Sequence, residues 1–341
     1  MGGVTPVPQS SDGGPAGSSR RILVAGGAGF LGSHLCELLL ARGHRVVCVD
    51  DLSTGHTRNL EAFRDHPRFE LIRADVAATP SMPVDAIAHL ASPASPVDYE
   101  RIPIHTMRAN SLGTWRLLDI ARERRAALLF VSTSEVYGDP LVHPQPETYW
   151  GNVDPIGPRS CYDESKRFGE ALVTAYRREH GVRANIVRLF NTYGPRMRPD
   201  DGRVIPAMIS AALDGKALPL HGDGSQTRSF CHASDTVAGI SHVLTDADAD
   251  GEVLNIGNPA EITMLDLAHA VLEGVGRSGG IEHVAKRPGD PERRQPVIDR
   301  MQERYGWGPR VSLTDGLAET IRWFAALRAT GEGVPVGSAP G

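Results

Sequence analysis

The chain has 341 residues, 40% hydrophobic and 23% charged, a balance that fits one large domain or two intimate ones around a substantial core. Its formal charge of −5 excludes a general attraction to nucleic acid or to an anionic membrane surface. No apolar run approaches the ~20 residues of a membrane span.

Residues 1–20, rich in Gly, Pro and Ser, read as a disordered tail, and 330–341 as a second loose tail. The first tail lacks the apolar stretch of a secretory signal. Arg20-Arg21 mimics a twin-arginine signal only superficially, because the apolar run behind it carries a glycine fingerprint. Cys36, Cys48, Cys161 and Cys231 have no metal-ligand or CxxC spacing. Buried free thiols in a cytoplasmic protein are therefore expected, and no sequence neighbour supports a nucleophilic role for Cys161.

Ile22–Ala25 is a short apolar run suited to a buried parallel strand. Gly26-Gly27-Ala28-Gly29-Phe30-Leu31-Gly32 follows at once. A helical pattern then runs from Ser33 to Arg42 and stops at Gly43; Val46–Val49 is a second apolar run, closed by Asp50. The spacing is that of a dinucleotide site. Gly26 permits a tight turn, Gly29 lets the backbone approach a pyrophosphate, and Gly32 lets the helix pack on the strand with its N-terminus facing the phosphates. Asp50 is placed to bind the adenosine ribose hydroxyls, which favours NAD over NADP, with Arg58 as a candidate phosphate contact.

The alternation continues with strands at Phe69–Ile72, before Asp75-Val76, and at Ala86–Ala91, before the loop Ser92–Pro96. One helix is expected from about Asp98 to Arg122, with Pro103 near its first turns. A strand over Leu128–Ser132 ends at Thr133-Ser134-Glu135, a long helix covers Ser160–His180, and another strand spans Asn185–Phe190. Strands and helices at this spacing imply an α/β fold, a Rossmann-type doubly wound parallel sheet. Ligands then bind beyond the carboxyl ends of the strands, where Asp75, Ala91, Ser92, Thr133, Ser134, Glu135 and Asn191 fall.

After residue 192 the pattern changes to shorter elements between Gly/Pro loops. Helices are expected after Arg203, over Ser234–Leu244, and over Thr263–Val275, with a strand at Leu254–Gly257 that returns to the main sheet. Residues 21–191 thus form mainly a dinucleotide-binding unit, and 192–329 mainly a smaller mixed α/β unit that binds substrate.

Tyr162 and Lys166 are four residues apart, one helical turn, and share a face. A phenol is a poor base at neutral pH, and a neighbouring ammonium is expected to lower its pKa. The pair would then take a proton from a substrate hydroxyl, with the Thr133 or Ser134 hydroxyl on the same oxygen. Glu135 asks for more, since oxidation of an alcohol needs no extra carboxyl. A raised pKa would let it exchange protons at a neighbouring carbon. Arg196, Arg198, Arg203, Arg228, Arg287, Arg293 and Arg294 are candidate phosphate or carboxylate partners.

These strings together resemble the extended short-chain dehydrogenase/reductase family: GGAGFLG at 26–32, YDESK at 162–166, FNTYGPR at 190–196 and GDGSQTRSF at 222–230. Within it, HLASPASPVDY at 89–99, STSEVYGDP at 132–140, VDPIGPRSCYDESKR at 153–167 and DPERRQP at 290–296 are most similar to the UDP-glucuronate decarboxylases, or UDP-xylose synthases. Family 4-epimerases usually lack a glutamate at the place of Glu135, and 4,6-dehydratases carry Asp-Glu where this chain has Ser134-Glu135. The string at Arg294 reads RRQP rather than KRKP or HRKP, which keeps the arginine.

The resemblance implies tightly bound NAD+ regenerated within a redox-neutral cycle, held by Gly26, Gly29, Phe30, Leu31, Gly32, Asp50, Asp51, Ser53, Thr54, Gly55, Asp75, Val76, Leu90, Ala91 and Ser92, with Tyr162 and Lys166. It implies catalysis by Thr133, Ser134, Glu135, Tyr162, Lys166 and Arg294. It places substrate, UDP-glucuronate, on Pro93, Tyr99, Glu135, Asn191, Arg196, Arg203, Arg228 and Arg294. UDP-xylose is the implied product, and a homodimer without metal the implied assembly. Other outcomes stay open: release of the 4-keto pentose, an apiose/xylose mixture, 4-epimerisation, or a non-catalytic nucleotide sensor.

Overall fold

A computed structural model describes residues 19–277, 280–285 and 293–330. Most of both tails, Arg287 and positions 290–292 of the DPERRQP string lie outside the described residues. Strand β1 (Arg21–Ala25) sits inside a parallel sheet because both of its faces are apolar: Ile22, Leu23, Val24 and Ala25 are fully buried. β2 (Arg45–Asp50) and β3 (Phe69–Arg73) extend the sheet on one side; β4 (Ala86–His89), β5 (Ala127–Thr133) and β6 (Ala184–Leu189) extend it on the other. A seventh strand, Val253–Ile256, closes that edge by pairing parallel to β6. The order reverses at β1 and β4, so the ligand crevice of such a sheet opens there.

Helices cover both faces. Helix α1 (Phe30–Ala41) packs beside the helix Ala233–Thr245 over one core, where Leu35, Leu39, Val237, Ile240 and Trp307 meet. The opposite core gathers Leu117, Leu118, Ile120, Phe130 and Val173. The single helix expected over Asp98–Arg122 is in fact broken. It becomes α2 (Pro96–Arg101), α3 (Pro103–Arg108), a π-helical turn over Ala109–Gly113, and α4 (Thr114–Arg124). The break falls at Ile102 (φ −129°, ψ 58°), because a residue before proline is forced away from helical geometry.

Helix α5 (Ser160–His180) buries Tyr162, Lys166, Gly169, Val173 and Tyr176, a 4-3-4-3 spacing that forms one inward stripe. Gly169 brings this helix close to β5: a Cβ there would collide with the Phe130 ring. Gly181, in the left-handed region, ends the helix.

The later chain contributes to both parts. A third core gathers Tyr193, Met208, Leu218, Leu267, Leu317 and Phe324 beneath helix α6 (Val204–Leu213) and its neighbours. Its loops face the carboxyl ends of β5 and β6 across a cleft of about 1050 Å³.

Candidate active site

The cofactor end is built by glycines. A Cβ on Gly26 would lie 2.6 Å from the Ala91 nitrogen, and one on Gly32 would collide with the Gly26 carbonyl oxygen. Gly26 also takes φ +82°, so the turn exists only because these side chains are missing. Asp50 accepts from the Ala28 nitrogen at 2.9 Å and the Leu52 nitrogen at 2.8 Å, which fixes its carboxylate at the end of β2.

Gly26, Gly29, Asp50, Asp51, Ser53, Thr54, Gly55, Val76, Leu90, Ala91 and Ser92 line one hollow. Phe30, Leu31 and Gly32 line the adjoining cleft. This cradle, closed to side chains and ending in a carboxylate, fits a dinucleotide. Asp75 does not reach it. Asp75 caps the turn at Val76–Ala78 and pairs with Arg108 at 3.3 Å. Pro93, expected on the substrate, lines the cofactor hollow instead. Arg58 lies outside both hollows, in the turn Thr57–Leu60.

Tyr162 and Lys166 reach the cleft from α5, and Thr133, Ser134 and Glu135 from the end of β5. The Tyr162 phenol lies close enough to the Thr133 side chain for that hydroxyl to favour its ionised form. Lys166 Nζ donates to the Val131 carbonyl at 2.8 Å and stands 5.0 Å from the centre of the Phe130 ring. Burial pulls the Lys166 pKa down to about 7, against the opposing charge of Glu170. The Tyr162 phenol is not depressed, contrary to expectation. Burial raises it, Glu135 adds to the rise, and the Thr133 hydroxyl opposes both. A phenolate loses its solvation here, and the buried Lys166 is itself only partly charged at neutral pH.

Tyr99 does not line the cleft. It is fully buried, with its ring stacked on Tyr162 at 5.1 Å and 8°. It therefore backs Tyr162 and does not contact the cleft.

Glu135 is the hub of a charged cluster. Its Oε1 pairs with Arg159 at 2.6 Å and Arg294 at 3.5 Å. Its expected high pKa is overturned. Burial pushes it upward, but Arg159, Arg294 and the Asp163 side chain outweigh that and hold it well below the usual carboxylate range. The raised acid is Asp163, lifted by burial and by Glu135.

Arg294 is buried although it lies far along the chain. Gln145 clamps its segment, donating its nitrogen to the Gln295 carbonyl at 2.8 Å and accepting the Gln295 nitrogen on Oε1 at 2.9 Å.

The other arginines divide. Arg203 and Arg228 line the cleft; Arg203 is held bidentately by Asp201 at 2.6 Å on both oxygens. Asn191 lines the cleft as expected. Arg196 touches the cleft, but its guanidinium pairs with Glu37 and so ties this loop to α1. Arg198 pairs with Asp98 at 3.1 Å, and Arg293 is exposed.

Arg159, Asp163, Gln145 and Asn110 were given no role from sequence. Asn110, in the π turn, donates to Ser92 and to Ser165 at 3.0 Å each and so links the cofactor loop to α5. The sequence signal for Arg159 and Asp163 was their place inside the VDPIGPRSCYDESKR string; Gln145 and Asn110 carried none. The thiols of Cys161 and Cys231 are both raised by burial, the latter to about 12, which makes them poor nucleophiles.

The arrangement can remove a proton from a hydroxyl at Tyr162. Within the same cleft it can hold an anionic group against Arg294. Residues 22–257 match the NAD dependent epimerase/dehydratase family. The UDP-glucuronic acid decarboxylase 5 of Arabidopsis thaliana is 50% identical over 301 residues, 88% of each chain. A UDP-glucuronic acid 4-epimerase from Bacillus cereus, solved with UDP-glucuronic acid and NAD, is 30% identical with a TM-score of 0.82, covering 90% of this chain and 99% of its own. A dTDP-glucose 4,6-dehydratase from Streptomyces venezuelae, solved with NAD, is 32% identical with a TM-score of 0.82, covering 91% and 98%. The chain belongs to the NAD dependent epimerase/dehydratase family.

Proposed function

We propose that the protein converts UDP-glucuronate to UDP-xylose and CO2 through a 4-keto intermediate, with no net redox change. One observation carries this reading: Arg294 and Glu135 meet at 3.5 Å in the cleft that Tyr162 and Lys166 line, so a carboxylate-binding cation stands where a sugar hydroxyl can be oxidised. The 50% identity to a plant UDP-glucuronic acid decarboxylase supports it.

The glycine cradle of Gly26, Gly29 and Gly32 with Asp50 would hold NAD+, which would supply a reversible hydride acceptor for the sugar C4. Tyr162 takes the C4 hydroxyl proton and later gives it back, while the Thr133 hydroxyl favours the ionised phenol. A ketone at C4 lies β to the C6 carboxylate, so the carboxylate leaves as CO2 with its bonding electrons delocalised as an enolate. Arg294 orients that carboxylate, and Glu135 handles the proton that C5 then requires. Asn191, Arg203 and Arg228 line the part of the cleft left for the UDP group, whose remote binding energy positions the sugar. Product analysis with UDP-glucuronate tests the reading.

A second reading, 4-epimerisation of the same substrate, is favoured by the Bacillus cereus neighbour, an enzyme that shares this sheet. The higher identity to a decarboxylase places it second.

The same reading includes a homodimer. Exposed Ile104, Met107, Leu112, Trp115 and Phe168, on α3 through α5, supply apolar surface for a second copy. A cytoplasmic setting is proposed on the four free cysteines. Among the described residues no helix is long and apolar enough to cross a membrane.

A further inference from the structure

Glu135 stands on the turn after β5, and Asp163 in the first turn of α5. Glu135 Oε2 and Asp163 Oδ1 are both closed off from solvent, and among the described residues neither receives a hydrogen from an N–H or a hydroxyl. The two carboxyls lie close enough that each shifts the titration of the other. Two ionised carboxylates buried side by side repel, so the pair is stabilised by holding one proton.

The surroundings decide where the proton rests. Arg159 and Arg294 place their charge on Glu135. Tyr99 from α2, and Tyr162 and Cys161 from α5, also face Asp163. Burial and the Glu135 charge raise the Asp163 carboxyl while Arg159 and Arg294 hold Glu135 low, so the proton of the pair rests on Asp163. Asp163 does not line the cleft, whereas Glu135 and Arg159 do.

The proton balance of decarboxylation, on which this inference rests, gives such a pair a task. The proton that Tyr162 removes at C4 goes back to C4. CO2 leaves without a proton, and the bonding pair of the broken C5–C6 bond stays on the sugar. One further proton must reach C5. We propose that Asp163 is a positioning residue and proton partner of Glu135: the pair holds one proton, which passes from Asp163 to Glu135 and from Glu135 to C5. The pair then carries two negative charges against Arg159 and Arg294, and it regains one proton from water before the next cycle.

Asp163→Asn keeps the shape and removes the proton. Expected are a fall of about tenfold or more in UDP-xylose formation, and a fall of less than about threefold in reduced nicotinamide formed in a single turnover. Because the folded Asp163 pKa is raised, wild-type turnover declines as the pH climbs past that value; the variant loses this alkaline limb, and Asp163→Glu restores part of it. A substrate-free check needs no variant activity. Infrared titration of the wild-type holoenzyme should show a protonated-carboxyl band at neutral pH that disappears in alkali, and that is absent from Asp163→Asn and Glu135→Gln.

The proposal is overturned if the wild-type band is missing. It is equally overturned if Asp163→Asn keeps its xylose rate and alkaline limb, or loses oxidation and xylose formation together. A wild-type enzyme with the band but without CO2 release would instead remove the decarboxylation reading, and with it the role at C5.

Discussion

At the scale of single residues, division of labour is the main expectation. Tyr162→Phe leaves the ring stacked on Tyr99 and removes the hydroxyl proposed to take the C4 proton. Reduced nicotinamide on the bound cofactor should fall by roughly 10²-fold or more in single-turnover absorbance, the usual scale of general acid–base catalysis. Glu135→Gln should preserve that signal better than it preserves UDP-xylose formation; equal loss of both would count against separate roles. Arg294→Lys keeps a charge but loses the planar fork, so KM for UDP-glucuronate should rise along with a fall in kcat.

Tyr162, Lys166, Glu135 and Arg294 were legible in the sequence because each sits in a distinctive string. Arg159 and Asp163 share the string of Tyr162 and Lys166, but nothing local gives them a role. An acid in a helix's first turn reads as a partner of the helix dipole, and an arginine before a helix reads as surface. Only the arrival of Glu135 from another element gives them a task. The electrostatic directions were missed for the same reason: the charges that hold Glu135 low come from residues 24 and 159 positions away in the chain.

At the scale of elements, α5 carries the site because its buried stripe was written as a 4-3-4-3 pattern, and its bounds could be read from sequence. The break at Ile102 follows from Pro103. The π turn does not, because no residue type demands an extra residue per turn. Here Gly113 lies against Val76, where a Cβ would come within 2.5 Å of the valine Cγ1. Gly169→Ala tests how closely α5 must sit on β5. Overpacking against Phe130 should cost about 1–3 kcal/mol in thermal or urea unfolding. Lys166 would shift with the helix, so the oxidation step should slow as well.

At the scale of the whole molecule, the parallel sheet and its crevice were evident from the strand–helix alternation, and so was the return of the later chain at Leu254–Gly257; its edge place beside β6 depends on long-range pairing. Two histidines, His89 buried and His34 partly buried, set a global acid limit. Burial, helped by Lys166, lowers His89 to about 3, and burial with Arg196 lowers His34 to about 4. Both folded values lie below the ordinary histidine value of 6.5, so the stabilisation is complete above that pH. It is lost as the pH falls through the folded values. The melting temperature should therefore decline from pH ~6.5 toward pH ~4, and His89→Gln should flatten part of that decline.

The central claim is that oxidation at Tyr162 is temporary and serves to release a carboxylate held by Arg294. Incubating the holoenzyme with UDP-glucuronate, while following CO2, nucleotide-sugar products and reduced nicotinamide together, measures it directly. The expected result is CO2 and UDP-xylose in equal amounts with no net accumulation of reduced cofactor. A 4-epimerised UDP-sugar that keeps its carboxylate, with no CO2, would contradict it.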